Sequence, residues 1–234
     1  MSELSEPLEV LLIHGAWHGS WAFDLLTPYL LDAGWTVRTV ELASVGSATV
    51  DVHDDADVVR ESLASNPGPT VVVGHSYGGV VATEGAAGAP NLVGLVYLCA
   101  AMPEVGQSVW TDYNDAGQVP DWIKVDAAAG LVRALDGERV FYNDCPADLA
   151  SRSTALLRPQ SLKTFMTPVK AAAWRDAPSA YLVCDDDQCT APSAQEAFAT
   201  RAAQVQHIAA GHSPFLSQPE AVAEFITTAS GAFR

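Results

Sequence analysis

Residues 70–79 read TVVVGHSYGG, a β-branched run that passes through Gly74-His75-Ser76-Tyr77-Gly78 into an apolar stretch. These are the residue types of an activated serine. A serine on a sharp strand-to-helix turn adopts strained backbone angles, and glycines two residues before and after it remove the Cβ atoms that would collide across the bend. The Ser76 hydroxyl then stands clear of the chain. The start of the helix behind it favours developing negative charge, and the Tyr77 amide is directed where an oxyanion would form. A hydroxyl is a weak nucleophile until a base takes its proton. Of the six histidines, His212 in VQHIAAGHSPF is the best placed, between the last expected strand and the last expected helix. His207 falls inside that strand and His53 on the amphipathic stretch 51–64, so both read as structural. His75 adjoins the serine, and is placed among the residues that a substrate would meet.

The base needs a carboxylate to orient its ring and stabilise its charged form. Asp185, Asp186 and Asp187 all follow the run Tyr181-Leu182-Val183-Cys184. Asp187 is chosen because it lies deepest in the loop, just before the Pro192 that opens the next helix, with Asp185 as the alternative. A second oxyanion donor belongs in the loop after the first strand, Ile13-His14-Gly15-Ala16-Trp17. There Gly15 lets the backbone turn near the nucleophile, and the Ala16 amide partners that of Tyr77. Gly15 and Trp17 are placed at the substrate, while His14 reads as a strand-end histidine that ties the loop down.

Positioning such groups needs a frame. Short β-branched runs alternate with amphipathic stretches, the pattern of a parallel sheet covered on both faces. Strands are expected at 10–14, 36–42, 70–74, 92–100, 180–184 and 204–208, and helices at 21–33, 51–64, 77–87, 193–203 and 219–230. The fold class is therefore α/β, a mostly parallel six-stranded sheet flanked by helices. Between 103 and 160 the strand rhythm stops and aromatic residues (Trp110, Tyr113, Trp122, Phe141, Tyr142) mix with short helical patterns. So long a structureless loop would be unusual in a compact domain, so this stretch is expected to be a mostly helical cap on a core formed by 1–102 and 161–234.

Composition narrows the partners. The 234 residues carry 28 Asp and Glu against 12 Lys and Arg, a formal charge of −16, and 49% are hydrophobic. A chain of this size buries a large core, and its three lysines (Lys124, Lys163, Lys170) do not make a phosphate-binding surface for nucleic acid or an anionic membrane. The acidic start MSELSEPLEV lacks the basic flank and long apolar stretch of a signal peptide, and no apolar run reaches a membrane-spanning ~18 residues. A cytoplasmic protein with a small-molecule partner is expected. Four cysteines (Cys99, Cys145, Cys184, Cys189) without a Cys-x-x-Cys pair call for neither a disulfide scaffold nor a metal, and no Gly-rich phosphate loop calls for a cofactor. Oligomeric state is left open, with a homodimer as one option.

With these motifs in hand, the chain resembles the α/β-hydrolase superfamily, in particular the branch of plant methylesterases, plant hydroxynitrile lyases and small bacterial esterases. The likeness rests on HGAWHGSWAF at 14–23, AGWTV at 33–37 with ELAS at 41–44, the GHSYGG turn, AMP at 101–103, CDDDQCTAP at 184–192 and AGHSPF at 210–215. It covers almost all of the core and the cap only loosely. The resemblance implies Asp187 as the acid of a triad in the order Ser76, Asp187, His212. Lyases of this branch are expected to carry threonine, glutamate and lysine where this chain has Gly15, His75 and Ser213, and all three match the esterase pattern instead. The expectation is a cofactor-free serine carboxylic-ester hydrolase acting on a small, largely apolar ester. Its alternatives are lyase-like or oxygenase and perhydrolase chemistry on the same triad, or a receptor that binds without turnover. The cap aromatics, with Leu131, Phe165 and Met166, are expected to shape the pocket.

Overall fold

The computed structural model describes residues 8–113 and 119–233, so most of the acidic start lies outside the described residues. In chain order the strands are β1 (Glu9–Ile13), β2 (Thr36–Val40), β3 (Thr70–His75), β4 (Leu92–Leu98), β5 (Ile123–Asp126), β6 (Leu131–Ala134), β7 (Gln160–Ser161), β8 (Ser179–Cys184) and β9 (Gln204–Ile208). The α-helices are α1 (Thr27–Asp32), α2 (Val52–Ser65), α3 (Tyr77–Gly85), α4 (Val109–Tyr113), α5 (Gly137–Val140), α6 (Ala147–Leu156), α7 (Leu162–Met166), α8 (Pro192–Ala199), α9 (Pro214–Ser217) and α10 (Pro219–Gly231).

Six strands form one sheet in the order β2-β1-β3-β4-β8-β9, with every neighbouring pair parallel. Strands β1, β3 and β8 are buried along their whole length. That is why they read as continuous apolar runs and not as alternating ones. Chain order reverses between β1 and β3, and the crevice beyond their carboxyl ends is where open α/β sheets place their sites. The parallel register aligns Ile13 with Gly74 and Gly74 with Tyr97, so the loops after β1 and β3 leave the sheet side by side.

Local chemistry accounts for the helices and for two departures from expectation. Helix α2 opens on a capping box in which Asp51 accepts from the His53 amide and Asp54 accepts from the Asp51 amide, satisfying donors that the helix cannot. The helix expected at 21–33 is divided into a 3₁₀ turn, Ser20–Phe23, and α1. Pro28 has no amide to continue a helix but suits a first turn, so the regular helix begins there. Strand β4 stops at Leu98, short of the expected 100, because Cys99, whose amide still donates to Leu182 O of β8, takes a φ of 39° that turns the chain out of the strand.

The insertion expected to be mostly helical supplies α4, α5 and α6 but also a three-stranded antiparallel sheet in the order β5-β6-β7. Each hairpin strand is only four residues long, too short for a period of two to stand out. The hairpin closes at Gly130, whose φ of 68° favours glycine. The third strand takes in Ser161, one residue past the expected end of the insertion. Among the described residues, no helix is long and apolar enough to cross a membrane.

Candidate active site

Strand β3 delivers Ser76 to the turn before α3 with φ 53° and ψ −122°, a conformation that costs energy in any residue but glycine. The surroundings over-determine it. The Ser76 amide donates to Leu98 O at 3.2 Å, and its carbonyl accepts from the Ala101 amide at 3.2 Å. A Cβ on Gly74 would lie 2.7 Å from Gly78 O, and one on Gly78 would collide with the carbonyls of Ile13 and His14. The two glycines therefore let the turn close on itself and let α3 press against the end of β1.

Three side chains converge there. His212 Nε2 lies 3.0 Å from Ser76 Oγ, and His212 Nδ1 donates to Asp187 Oδ2 at 2.7 Å. His212 and Asp187 are both buried. Burial is the largest single influence and works against a charged ring, but Asp187 and Cys189 together outweigh it and hold the His212 pKa well above its ordinary value of 6.5. The His212 backbone is pinned as well, because its carbonyl accepts from His75 Nε2 at 2.8 Å and from the Cys99 thiol at 3.3 Å. His75 is thus buried beneath the catalytic candidate and not among the residues that line the cavity. The structure does not bring it to the described lining expected to meet a substrate: the ring is fully buried, Nε2 donates to a backbone carbonyl, and Nδ1 faces Gly15 without a hydrogen-bond partner among the described residues. Burial, and then the neighbouring His212, push its pKa well down.

Sequence reasoning missed the support of the acid. Asp187 Oδ1 accepts the amides of Cys189 and Thr190 at 2.7 and 2.9 Å, and Oδ2 accepts from Gln195 Nε2 at 2.9 Å. Gln195 is itself fixed by accepting the Cys184 amide at 2.8 Å. The signal was present in α8, where Gln195 shares the buried face with Phe198 and Ala199, a polar residue on an apolar stripe.

The loop after β1 runs against the nucleophile. A Cβ on Gly15 would be 3.0 Å from Ser76 Cβ and 2.9 Å from His75 Nδ1, so Gly15 acts by close approach and not as part of the cavity lining. Its carbonyl accepts from His14 Nδ1 at 2.9 Å and the His18 amide at 3.4 Å, while His14 Nε2 accepts from the Leu42 amide at 3.1 Å. In a trans peptide the C=O and N–H point oppositely, so holding Gly15 O turns the Ala16 amide away from His14. Next in the chain, Ala16 O accepts from His18 Nδ1 at 2.7 Å, and Tyr142 Oη donates to His18 Nε2 at 2.8 Å. That arrangement needs a neutral imidazole, and burial lowers the His18 pKa to about 3.

Ala16, Trp17, Ser76 and Tyr77 line a cavity of about 350 Å³ together with Trp110 and Trp122 of the insertion and Phe165 of α7. Trp17 stands between Trp122 and Phe165 at ring separations of 5.8 and 5.5 Å. No charged side chain is found among the described lining residues. Phe141 and Tyr142 are buried beside Trp17 and His18 instead, Met166 is half exposed, Leu131 is not in the lining, and the Tyr113 side chain lies outside the described residues. Among the described residues one group of metal-binding types, His75, Cys99 and His212, comes within 4.8 Å. His75 Nε2 and the Cys99 thiol bond the His212 carbonyl and the His212 ring bonds Asp187 and Ser76, while His75 Nδ1 has no hydrogen-bond partner among the described residues.

The pattern of the Alpha/beta hydrolase family matches residues 10–225. The chain belongs to this family. This alpha/beta hydrolase is 32% identical to the carbendazim hydrolyzing esterase of Nocardioides sp. (strain SG-4G), over 69% of the chain and 73% of that relative. It is 27% identical to methyl jasmonate esterase 1 of Vitis vinifera, over 68% of the chain and 66% of that relative. The solved pyrethroid hydrolase from Sphingobium faniae JZ-2 superposes with a TM-score of 0.83 at 24% identity, covering 96% of this chain and 98% of that one. The fold is shared from end to end, and the methylesterase-like resemblance of the sequence holds.

Proposed function

We propose that this hydrolase is a serine carboxylic-ester hydrolase that turns over a small, largely apolar ester through an acyl-enzyme, without a cofactor. The observation that carries this reading is the 2.7 and 3.0 Å contacts from His212 to Asp187 and Ser76, the latter lining a cavity with no charge among its described lining residues. Kinship supports the coarser statement, a carboxylesterase-type hydrolase.

In this reading neutral His212 takes the Ser76 proton as Oγ attacks the ester carbonyl. Asp187 holds the ring in the tautomer that leaves Nε2 free, and stabilises the imidazolium as it forms. The amides of Ala16 and Tyr77 receive the oxyanion; the latter is a first-turn amide with no intrahelical acceptor. His212 then protonates the leaving alcohol, and water repeats the sequence on the acyl-enzyme. The cleavage of p-nitrophenyl esters by wild type and Ser76→Ala tests this, with mandelonitrile cleavage run on the same preparation. The expected result is ester turnover that falls by ~10⁶-fold in the variant, with no cyanide release. Full ester turnover by Ser76→Ala would overturn the mechanism. Cyanide release would point to lyase chemistry, and ligand-induced stabilisation without turnover would point to a receptor.

A further inference from the structure

The Tyr77 hydroxyl is joined by a buried polar chain to the Trp17 amide, the neighbour of the candidate oxyanion amide of Ala16. The Trp17 amide, next in the chain after Ala16, donates to Gln160 Oε1 at 3.2 Å. Gln160 Nε2 donates to Ser44 Oγ at 2.6 Å and to Thr164 Oγ1 at 3.3 Å. Ser44 Oγ donates to Asp55 Oδ2 at 2.5 Å, its amide donates to Asp55 Oδ1 at 3.0 Å, and Tyr77 Oη donates to the same Oδ2 at 2.8 Å. Gln160, Ser44, Asp55 and Thr164 are fully buried.

Burial raises the Asp55 pKa, and with the group ionised only one arrangement of this chain satisfies every partner. Asp55, as a carboxylate, only accepts, so both hydroxyls must donate to it, and Ser44 is left with lone pairs for Gln160. A flipped Gln160 amide would set its NH₂ against the Trp17 N–H. The order of donors is thus fixed from the oxyanion loop to the first turn of α3. The loop end is not relaxed: Trp17 has a φ of 66°, uncommon for a bulky residue. Trp17 is held at its other end by the cap too, where its indole Nε1 donates to Val132 O at 3.1 Å.

Resting on the serine-hydrolase reading, we propose that Gln160 is a positioning residue for the oxyanion hole. From the cap strand β7 it holds the Ala16–Trp17 turn at a set distance from Tyr77, so that the cap fixes the gap between two amides carried by the core. It touches no reacting atom. An oxyanion hole works by donors placed before the charge develops, so slackening this tie should affect the tetrahedral state and spare the planar one.

The test compares wild type with Gln160→Met, which keeps length but removes both polar ends. The expected result is a ~10–100-fold fall in kcat with KM within about twofold. Affinity for phenylboronic acid, whose Ser76 adduct is tetrahedral, should fall in parallel while affinity for benzamide is unchanged. Tyr77→Phe keeps the amide but removes the hydroxyl, and should reproduce this signature, with the double variant no worse than the poorer single one. If Gln160→Met does not fold, Ser44→Ala interrupts the same chain with a smaller change and carries the same expectation. Equal weakening of boronate and benzamide, a raised KM at unchanged kcat, or fully additive effects would overturn the proposal. A wild type that neither cleaves p-nitrophenyl esters nor binds the boronate through Ser76 would instead remove the reading beneath it.

Discussion

Asp185 and Asp187 stand two residues apart on one loop and serve different histidines. Asp187 Oδ2 accepts from His212 Nδ1 at 2.7 Å inside the protein, whereas Asp185 Oδ1 accepts from His207 Nδ1 at 2.8 Å on its surface. This divergence is what favours Asp187 over Asp185 as the acid in the proposed mechanism. Asp187→Asn should lower kcat by ~10⁴-fold, because the amide favours the wrong histidine tautomer. Asp185→Asn should leave it within about twofold, since an exposed pair contributes little. Initial rates on one p-nitrophenyl ester decide between them, and a large loss in Asp185→Asn would reverse the assignment.

The raised His212 pKa gives the pH profile a definite sign. Protonated His212 cannot take the Ser76 proton, so kcat/KM should fall as pH drops through a pKa that lies above 6.5. The acid limb on a non-ionising ester should therefore sit on the alkaline side of an unperturbed histidine. Removing the carboxylate in Asp187→Asn should move that limb to lower pH in whatever activity remains. An acid limb below 6.5 in the wild type would mean that burial prevails over the groups that raise this pKa.

His18 should have the opposite effect, on stability instead of rate. Its folded pKa is pushed down to about 3, so the unfolded chain binds its proton first as pH falls. The stabilisation is complete above the ordinary 6.5 and is lost progressively below it, by ~1.4 kcal/mol per pH unit from this ring until the folded pKa is reached. Melting temperatures measured across that acid window should therefore fall less steeply for His18→Phe than for wild type. Parallel slopes would mean that the ring is charged in the folded protein.

What was legible in the sequence was what backbone punctuation marks. Ser76, His212 and Asp187 follow strand ends, beside glycines or ahead of a proline, and the β1 loop is signalled by Gly15. The sheet was legible for the same reason, its buried strands being long apolar runs. The groups that hold the site together are different in kind. Asp55 lies on the buried face of α2 with Val52, Ala56 and Val59, and its partners Ser44 and Tyr77 are 11 and 22 residues away. Gln160 meets Trp17 across 143 residues. A polar residue on an apolar stripe signals that a partner exists, but only the fold says which. His75 ends strand β3, and its ring packs against His212 outside the described cavity lining, a placement set by contact between segments 137 residues apart and not by local sequence.

Close approach at Gly15 predicts a loss without a change of chemistry. An added methyl would meet His75 Nδ1 at 2.9 Å and Ser76 Cβ at 3.0 Å, both in packed surroundings, so the β1 loop must move. Gly15→Ala should lower kcat by ~10–100-fold with KM nearly unchanged, because the displaced Ala16 amide matters most when charge develops. Steady-state kinetics on a neutral aryl ester measures this. Unchanged kcat would mean that the Ala16 amide has no part in the hole.

The cavity itself predicts which esters are refused. Its described lining combines Trp17, Trp110, Trp122 and Phe165 with aliphatic side chains and carries no charge, while the whole chain bears −16. A carboxylate on the substrate would have to shed its water without finding a cation, at a cost of several kcal/mol. Between a neutral aryl ester and the same ester bearing a free carboxylate, kcat/KM should therefore fall by at least ~10²-fold. Replacing Trp122 by lysine should narrow that ratio by helping the anion and hindering the neutral substrate. Equal turnover of both esters by the wild type would place the acyl group outside this cavity.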